Sequence, residues 1–213
     1  MAKSEKLMPM ILKWEGGYSH QPYDKGGCTM KGITIKTYQD FFGKSKTCSD
    51  LKNIDDNEWL EIFENGYWNP LMGNDILNQS IANIIVDWGW MSGVKTVAKK
   101  IQKLVKVKVD GIFGKNTISA INSMNQEMLF NMIYNERKNF YYNICKKDPS
   151  QERFLKGWLN RLDDYHFEEE TLPEEKKNNE EIKENVYENP KKTWIDYISE
   201  FGDVYISKCL WHN

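Results

Sequence analysis

The sequence predicts a mainly α-helical protein with one small β-hairpin after the first helix. Apolar residues recur at helical spacing through most of the chain, and a glycine-rich stretch of turn formers at residues 16–33 interrupts this pattern once. Hydrophobic residues make up 40% of the 213 residues and aromatic residues 13%. The chain therefore has enough apolar material to bury a core, and global disorder is excluded.

The N-terminal part is predicted to contain a helix, the hairpin and a second helix. Apolar spacing places the first helix at residues 5–15, and the glycine pair that begins at Gly16 ends it. Residues 17–33 are rich in glycine and turn formers, which favours an irregular hairpin. Thr34 is a suitable N-cap for a helix that runs to about Phe42.

The remaining elements are predicted to be helices, one of them buried. The segment from Gln79 to about Val105 is apolar nearly all round, which indicates a central helix and then a second one, with a break at Ser92-Gly93. The other predicted helices run from Asp55 or Asp56 to Tyr67, from Asn116 or Thr117 onwards, over residues 126–145 and over residues 154–165.

Charge is unevenly distributed along the chain. Residues 1–165 contain 23 Lys and Arg against 19 Asp and Glu, whereas residues 166–213 contain 6 against 12. A mildly basic body suits an anionic polymer such as a cell wall. The excess is too small to indicate a nucleic-acid partner, and no helix-turn-helix or zinc-finger spacing is present.

Cysteine and histidine residues are scattered, without the clustered spacing that a zinc site requires. We therefore expect no metal and no cofactor. Free thiols at all four cysteines are typical of a protein folded in a reducing cytoplasm. The residues concerned are Cys28, Cys48, Cys145, Cys209, His20, His166 and His212.

No stretch of the sequence reads as a membrane span or a signal peptide. The longest early apolar stretch, residues 7–12, is short, contains Pro9 and lacks a small-residue cleavage site after it. We expect synthesis in the cytoplasm without a signal peptide and no stable membrane insertion. An external substrate would then be reached after release or through another secretion system.

Glu15 is the first candidate catalytic residue, because it ends an apolar helix beside Trp14 and opens onto the glycine-rich hairpin. Glycoside cleavage requires a carboxylic acid that keeps its proton, together with a second group that stabilises the cation or directs a water molecule. Asp24 follows nine residues later and Thr29 fourteen, on a hairpin that could fold back over Glu15. From residue chemistry alone, a solvated helix end and a simple turn stay the alternative interpretation.

The segment from Glu15 to Thr34 resembles the signature of glycoside hydrolase family 108, E-G-G-Y-x-x-x-P-x-D-x-G-G-x-T-x-x-G-I-T, with every signature position filled. The members of this family are N-acetylmuramidases of phage lysis and bacterial secretion systems. The resemblance implies a lysozyme-like superfamily fold, Glu15 as catalytic acid and bacterial peptidoglycan as partner. The Glu-x8-Asp spacing with a following Thr is also similar to phage-type lysozymes, which implies that Asp24 and Thr29 act opposite Glu15.

The second half resembles the peptidoglycan-binding-type region that completes this family, at residues 86–93, 102–117 and 154–161. Where the family more usually has a smaller residue and then Asn, this chain has Trp90 and Met91, which removes the polar contact expected at Met91. Asp87, in the buried helix, is expected to need a hydrogen-bond partner and to have a structural role, as an anchor of either the hairpin or the Glu15 loop. Four aromatic residues are candidates for stacking on sugar rings, namely Tyr18, Tyr23, Trp88 and Trp90.

Four regions are predicted along the chain. Residues 1–78 form a catalytic lobe, and residues 79–165 form a helical lobe that completes the same domain. Residues 166–193 form an acidic linker, and residues 194–213 form an amphipathic helix. We expect this last helix to pack against the body or against a second copy in a homodimer, because its apolar stripe is too large to leave in water.

The predicted activity is hydrolysis of the β-1,4 bond between N-acetylmuramic acid and N-acetylglucosamine. Two alternatives stay open at this point. A lytic transglycosylase also begins with one Glu, but closes the sugar's own hydroxyl onto the cation. A non-catalytic wall-binding or secretion-accessory module would belong to another functional class.

Overall fold

The computed structural model describes residues 1–20 and 27–169, which form a helical body with one short hairpin. The mainly α fold class is therefore confirmed. The elements are α1 (Ser4–Trp14), β1 (Thr29–Met30), β2 (Ile33–Thr34), α2 (Ile35–Phe42), α3 (Cys48–Lys52), α4 (Asp56–Phe63), α5 (Gln79–Ser92), α6 (Val94–Leu104), α7 (Lys115–Ser123), α8 (Gln126–Lys147) and α9 (Glu152–Asp163), with single turns at Glu64–Trp68, Gly73–Asp75 and Pro149–Gln151.

Helix α5 lies at the centre of the body, as its apolar composition predicts. Its residues from Ser80 to Gly89 are all buried, and α1, α6 and α8 pack around it. Asn78 caps the helix by accepting a hydrogen bond from the backbone N–H of Ile81 at 3.1 Å. Gly93, with a φ of +84°, ends it, so the break predicted at Ser92-Gly93 is confirmed.

The predicted N-caps of the N-terminal helices are confirmed. The side chain of Thr34 accepts a hydrogen bond from the backbone three residues on, and Asp55 does the same for α4. The predicted start of the helix after residues 110–114 is wrong. Neither Asn116 nor Thr117 caps α7, because Gly114 is its N-cap and Thr117 is buried inside the helix.

The hairpin is fixed by its own turn and by a tryptophan of α4. Strands β1 and β2 pair antiparallel, and Lys31 and Gly32 have left-handed φ values of +49° and +79° in the two-residue turn between them. Trp59 donates its Nε1–H to the carbonyl oxygen of Lys31 at 2.9 Å. These contacts give the turn a fixed position above the core.

A disulfide bond joins Cys28, just before β1, to Cys48 at the start of α3. The expectation of four free thiols is therefore wrong for this pair. The two Cα atoms lie 5.9 Å apart, a separation that a disulfide spans without strain on the backbone. Cys145 is free and buried, and Cys209 lies outside the described residues.

The chain that follows α9 returns to the first half of the body. Trp14 donates its Nε1–H to Asp164 Oδ2 at 2.6 Å, and the backbone N–H of Glu168 donates to Ser80 Oγ at 3.0 Å. Residues 166–169, predicted as the start of the linker, thus contact α5. The rest of the predicted linker and the predicted helix at 194–213 lie outside the described residues. Within the described ranges, no helix is long and apolar enough to cross a bilayer.

Candidate active site

The carboxyl group of Glu15 lies where three distant parts of the chain meet. Glu15 is the first residue after α1, and its side chain is 17% exposed. Its Oε1 accepts hydrogen bonds from Trp90 Nε1 at 2.7 Å and from Arg161 Nη1 at 2.8 Å. Its Oε2 lies so close to Gly32 that a Cβ atom at this position would be 2.8 Å away. The end of α5, helix α9 and the hairpin turn therefore all contact this one group.

A buried network of charged groups continues from Glu15 into the core. Arg161 donates from Nη2 to Asp87 Oδ1 at 2.6 Å, and Arg137 donates from Nη2 to Asp87 Oδ2 at 2.6 Å. Asp87 and Arg137 are completely buried. Opposite charges thus pair in the buried part of the network, which is the condition under which charge can be buried, and Glu15 lies at its partly exposed end.

The network changes the protonation equilibria of its members. Burial alone would raise the pKa of Asp87, but the charges of Arg137 and Arg161 outweigh burial and hold this pKa below its ordinary value. Burial would lower the pKa of Arg161, and the carboxylates of Asp87 and Glu15 raise it instead. Asp87 is therefore ionised, which confirms that it has the partner expected for it and that it supports the surroundings of Glu15.

An aromatic cluster forms the side of the site next to α4. The ring of Trp90 lies 4.7 Å from that of Tyr67 and 5.5 Å from that of Trp59, centroid to centroid, and Phe63 completes the group at 5.9 Å from Trp90. Burial raises the pKa of Tyr67, and the nearby charge of Glu15 raises it further. The cluster holds the Trp90 indole in the orientation from which it donates to Glu15.

Two further candidates, Thr29 and Tyr18, lie in the described part of the hairpin region. Thr29 begins β1, and its backbone exchanges two hydrogen bonds with Ser19, at 2.8 and 2.9 Å. Tyr18, 37% exposed, lies in the segment that this pairing holds, with Lys52 Nζ 5.5 Å from the centre of its ring. Asp24 and Tyr23 lie outside the described residues, so their expected roles stay predictions.

The two tryptophans predicted to contact sugar have different surroundings. Trp90 is partly exposed beside Glu15. Trp88 is completely buried, and its ring packs edge-on against Phe140. The stacking role expected for Trp88 is therefore wrong, because neither face of its ring reaches solvent.

Sequence reasoning assigned no role to three residues that contact the site, Gly32, Tyr67 and Arg161. Gly32 is one of the positions of the family signature between Glu15 and Thr34. Arg161 is the last residue of the segment 154–161, which resembles part of the same family. The sequence does contain one indication for Arg161. It lies on a predicted helix with an apolar face, and an arginine that is buried there needs a partner. In the described ranges, no group of three or more His, Cys, Asp and Glu residues could hold a metal ion.

Two protein-family models match successive parts of the chain. Residues 8–93 match the model of the glycosyl hydrolase 108 family. Residues 8–93 form a glycosyl hydrolase 108 domain. Residues 96–163 match the family described as predicted peptidoglycan domain. The chain is a glycoside hydrolase of the peptidoglycan-hydrolase type.

A solved structure, that of Brucella abortus SagA, is similar to this chain. It is 28% identical, covers 76% of this chain and 90% of its own, and superimposes with a TM-score of 0.63. No curated protein matches the chain. The glycosyl hydrolase 108 domain contains Glu15, Gly32 and Trp90, whereas Arg161 comes from the peptidoglycan domain. Both matched regions therefore contribute to the surroundings of one carboxyl group.

Proposed function

We propose that this glycoside hydrolase is an N-acetylmuramidase, with Glu15 as its general acid. The supporting observation is the position of the Glu15 carboxyl group. It is partly enclosed by the hairpin turn and by Trp90, yet it keeps 17% of its side chain exposed. A general acid needs this combination, because it must touch the glycosidic oxygen while the surrounding protein restricts water.

The proposed reaction begins with proton transfer from Glu15 to the oxygen between N-acetylmuramic acid and N-acetylglucosamine. The bond from C1 to that oxygen breaks, its electron pair stays on the oxygen, and the muramic acid ring becomes an oxocarbenium ion. Oε1 of Glu15 already accepts two hydrogen bonds. We therefore assign the transferred proton to Oε2, on the side of the hairpin turn.

Asp24 and Thr29 are proposed to complete the reaction by activating and holding the attacking water. Thr29 lies on the same hairpin as Gly32, where an added Cβ atom would be 2.8 Å from Glu15 Oε2, so Thr29 belongs to the element that borders the Glu15 carboxyl group. Inversion at C1 is the expected outcome, for which two carboxyl groups stand about 6.5–9.5 Å apart.

The proposed substrate is bacterial peptidoglycan, with Tyr18, Tyr23 and Trp90 as the aromatic residues that contact sugar rings. Cleavage of the glycan would make the protein bacteriolytic, as expected of an endolysin or of a wall-remodelling enzyme. We propose that it acts on the wall after release or secretion by another system.

Replacement of Glu15 by Gln tests the proposal. The side chain keeps its size and loses the transferable proton, so we expect clearing of purified peptidoglycan to fall by at least about 10²-fold with an unchanged circular dichroism spectrum. Glu5→Gln, an exposed change in the first turn of the same helix, is the matched control and should clear at the wild-type rate.

The outcomes separate the proposed enzyme from its alternatives. A Glu15→Gln protein that clears as fast as wild type would rule out the general-acid role. Binding of peptidoglycan without clearing by the wild type would indicate a non-catalytic wall-binding module.

A further inference from the structure

We infer that Arg161 is a positioning residue for Glu15, and that it stabilises the negative charge which Glu15 acquires when its proton leaves. This inference rests on the proposed function, since it assigns a role within the same site. Arg161 itself transfers no proton, and it donates a hydrogen bond to Glu15.

One guanidinium group joins two carboxylates of different burial. Arg161 donates from Nη1 to Glu15 Oε1 at 2.8 Å, and from Nη2 and Nε to Asp87 Oδ1 at 2.6 and 3.1 Å. The guanidinium group is rigid and planar, so two bonds to Asp87 fix the direction of the third N–H. The position of Oε1 is thereby set by a residue in the core helix α5.

Asp87 is in turn held by a second arginine. Arg137 donates from Nη2 to Asp87 Oδ2 at 2.6 Å and from Nε to the hydroxyl of Tyr141 at 2.7 Å. Each carboxylate oxygen of Asp87 thus accepts its shortest hydrogen bond from a different arginine. Of the five N–H groups of the Arg161 guanidinium, two thus bond to Asp87 and a third bonds to Glu15.

Stability alone does not account for this network. Removing four charged groups from water carries a desolvation cost that their mutual attraction often only just offsets, and apolar side chains of the same volume can be equally stable. The network does provide a fixed positive charge beside Oε1. Such a charge favours the carboxylate left by proton transfer more than it favours the neutral acid, and so lowers the barrier to the transfer.

Kinetics of Arg161→Gln and Arg161→Lys test this role. We expect Arg161→Gln to lower kcat on the order of 10²-fold, the usual effect of losing one preorganised donor, with KM changed less than threefold. Arg161→Lys should lower kcat less, since it restores the charge but not the fork that bonds both carboxylates. It also keeps a cation beside Asp87 and thereby preserves folding.

The pH profile supplies a readout that a purely structural bond would not change. Removal of the positive charge beside Oε1 should change how kcat depends on pH in Arg161→Gln, whereas a variant that leaves this charge in place should keep the wild-type dependence. Among the described residues, the groups that bear on this charge are Arg161 from α9, Asp87 behind it and Tyr67 from the turn after α4. Only Arg161 changes in the variants.

Asp164→Asn is the matched control. Asp164 bonds to Lys13 Nζ and Trp14 Nε1, both at 2.6 Å, and so joins the end of α1 to the end of α9, as the Arg161–Glu15 bond does. The control should lower the melting temperature and leave both kcat and the pH profile unchanged. If it lowers kcat as much as Arg161→Gln, both bonds only join the helices and the inference is wrong.

Failure of the inference and failure of the proposed function give different results. A folded Arg161→Gln protein with wild-type kcat and pH profile, beside an inactive Glu15→Gln protein, would overturn the role of Arg161 alone. A wild-type protein that cleaves no glycan would overturn the proposed function and this inference with it.

Discussion

At the scale of single residues, Glu15 could be proposed as a catalytic candidate from its neighbours in the sequence, whereas its hydrogen-bond partners could not be predicted. Glu15 follows an apolar helix and precedes two glycines, which are short-range signals. Arg161 lies 146 positions away from it, and no periodicity relates residues at that distance. The sequence predicted the same stacking on sugar rings for Trp88 and Trp90, because α5 is apolar all round. Such a helix gives no sign of which face reaches the site.

Gly32→Ala is expected to reduce both activity and stability. A Cβ atom there would lie 2.7 Å from Trp90 Cζ2 and 2.8 Å from Glu15 Oε2, and the φ of +79° is unfavourable for alanine. Gly43→Ala is the control, because Gly43 has a φ of +105° and open space around its Cα. Both variants should lose about 1–3 kcal/mol of unfolding free energy, measured by urea denaturation, and only Gly32→Ala should lose turnover. Equal turnover in both would show that the turn does not shape the site.

Asp87→Asn is expected to change how stability depends on pH. The pKa of Asp87 is lowered in the folded protein, so its contribution is complete above the unfolded pKa of about 3.9 and is lost as the pH falls through the folded pKa. The free energy of unfolding of the wild type should therefore exceed that of the variant by a margin that grows as the pH rises from the acid range towards about pH 5. Removing this carboxylate takes from Arg137 the carboxylate with which it pairs and leaves Arg161 paired with Glu15, at a cost of about 3–5 kcal/mol.

Calorimetric melting temperatures between pH 2 and 6 measure this effect. The gap between wild type and Asp87→Asn should widen with rising pH and then stay constant. A gap that is the same at every pH would contradict the ionised state assigned to Asp87.

At the scale of elements, the helices could be predicted because their signals are local. Spacing of apolar residues and N-caps at Thr34 and Asp55 depend on a few neighbouring positions. The disulfide between Cys28 and Cys48 could not be predicted, since four cysteines allow three pairings and the fold decides which sulfurs meet.

A reductant is expected to destabilise the wild-type protein through this disulfide. The bond closes a loop over a sequence separation of 20, and the loss of such a link costs about 3 kcal/mol. Dithiothreitol should therefore lower the melting temperature of wild type and leave that of a Cys28→Ser, Cys48→Ser double variant unchanged. The same shift in both proteins would show that the reductant acts elsewhere.

At the scale of the whole molecule, the site depends on residues from both matched regions. Glu15 and Trp90 lie in the glycosyl hydrolase 108 domain, whereas Arg161 lies near the end of the peptidoglycan domain. The resemblance to the family implied that the two halves complete one domain. It could not predict which side chains cross between them.

Truncation after Glu169 tests the predicted role of the acidic tail. The site involves no residue beyond Arg161 among the described positions, so the truncated protein should keep its turnover. If the predicted helix at 194–213 packs on the body or on a second copy, the melting temperature should fall or a dimer should dissociate in analytical ultracentrifugation. Unchanged stability and oligomeric state would show that the tail binds some other partner.

Mass spectrometry of the fragments released from purified peptidoglycan tests the central claim most directly. Wild type should release glycans that end in reducing N-acetylmuramic acid, because in the proposed mechanism Glu15 protonates the leaving oxygen and water attacks C1. Glu15→Gln should release none above background. Anhydro-muramic ends would instead indicate a transglycosylase, and reducing N-acetylglucosamine ends or cleaved peptides would contradict the muramidase assignment.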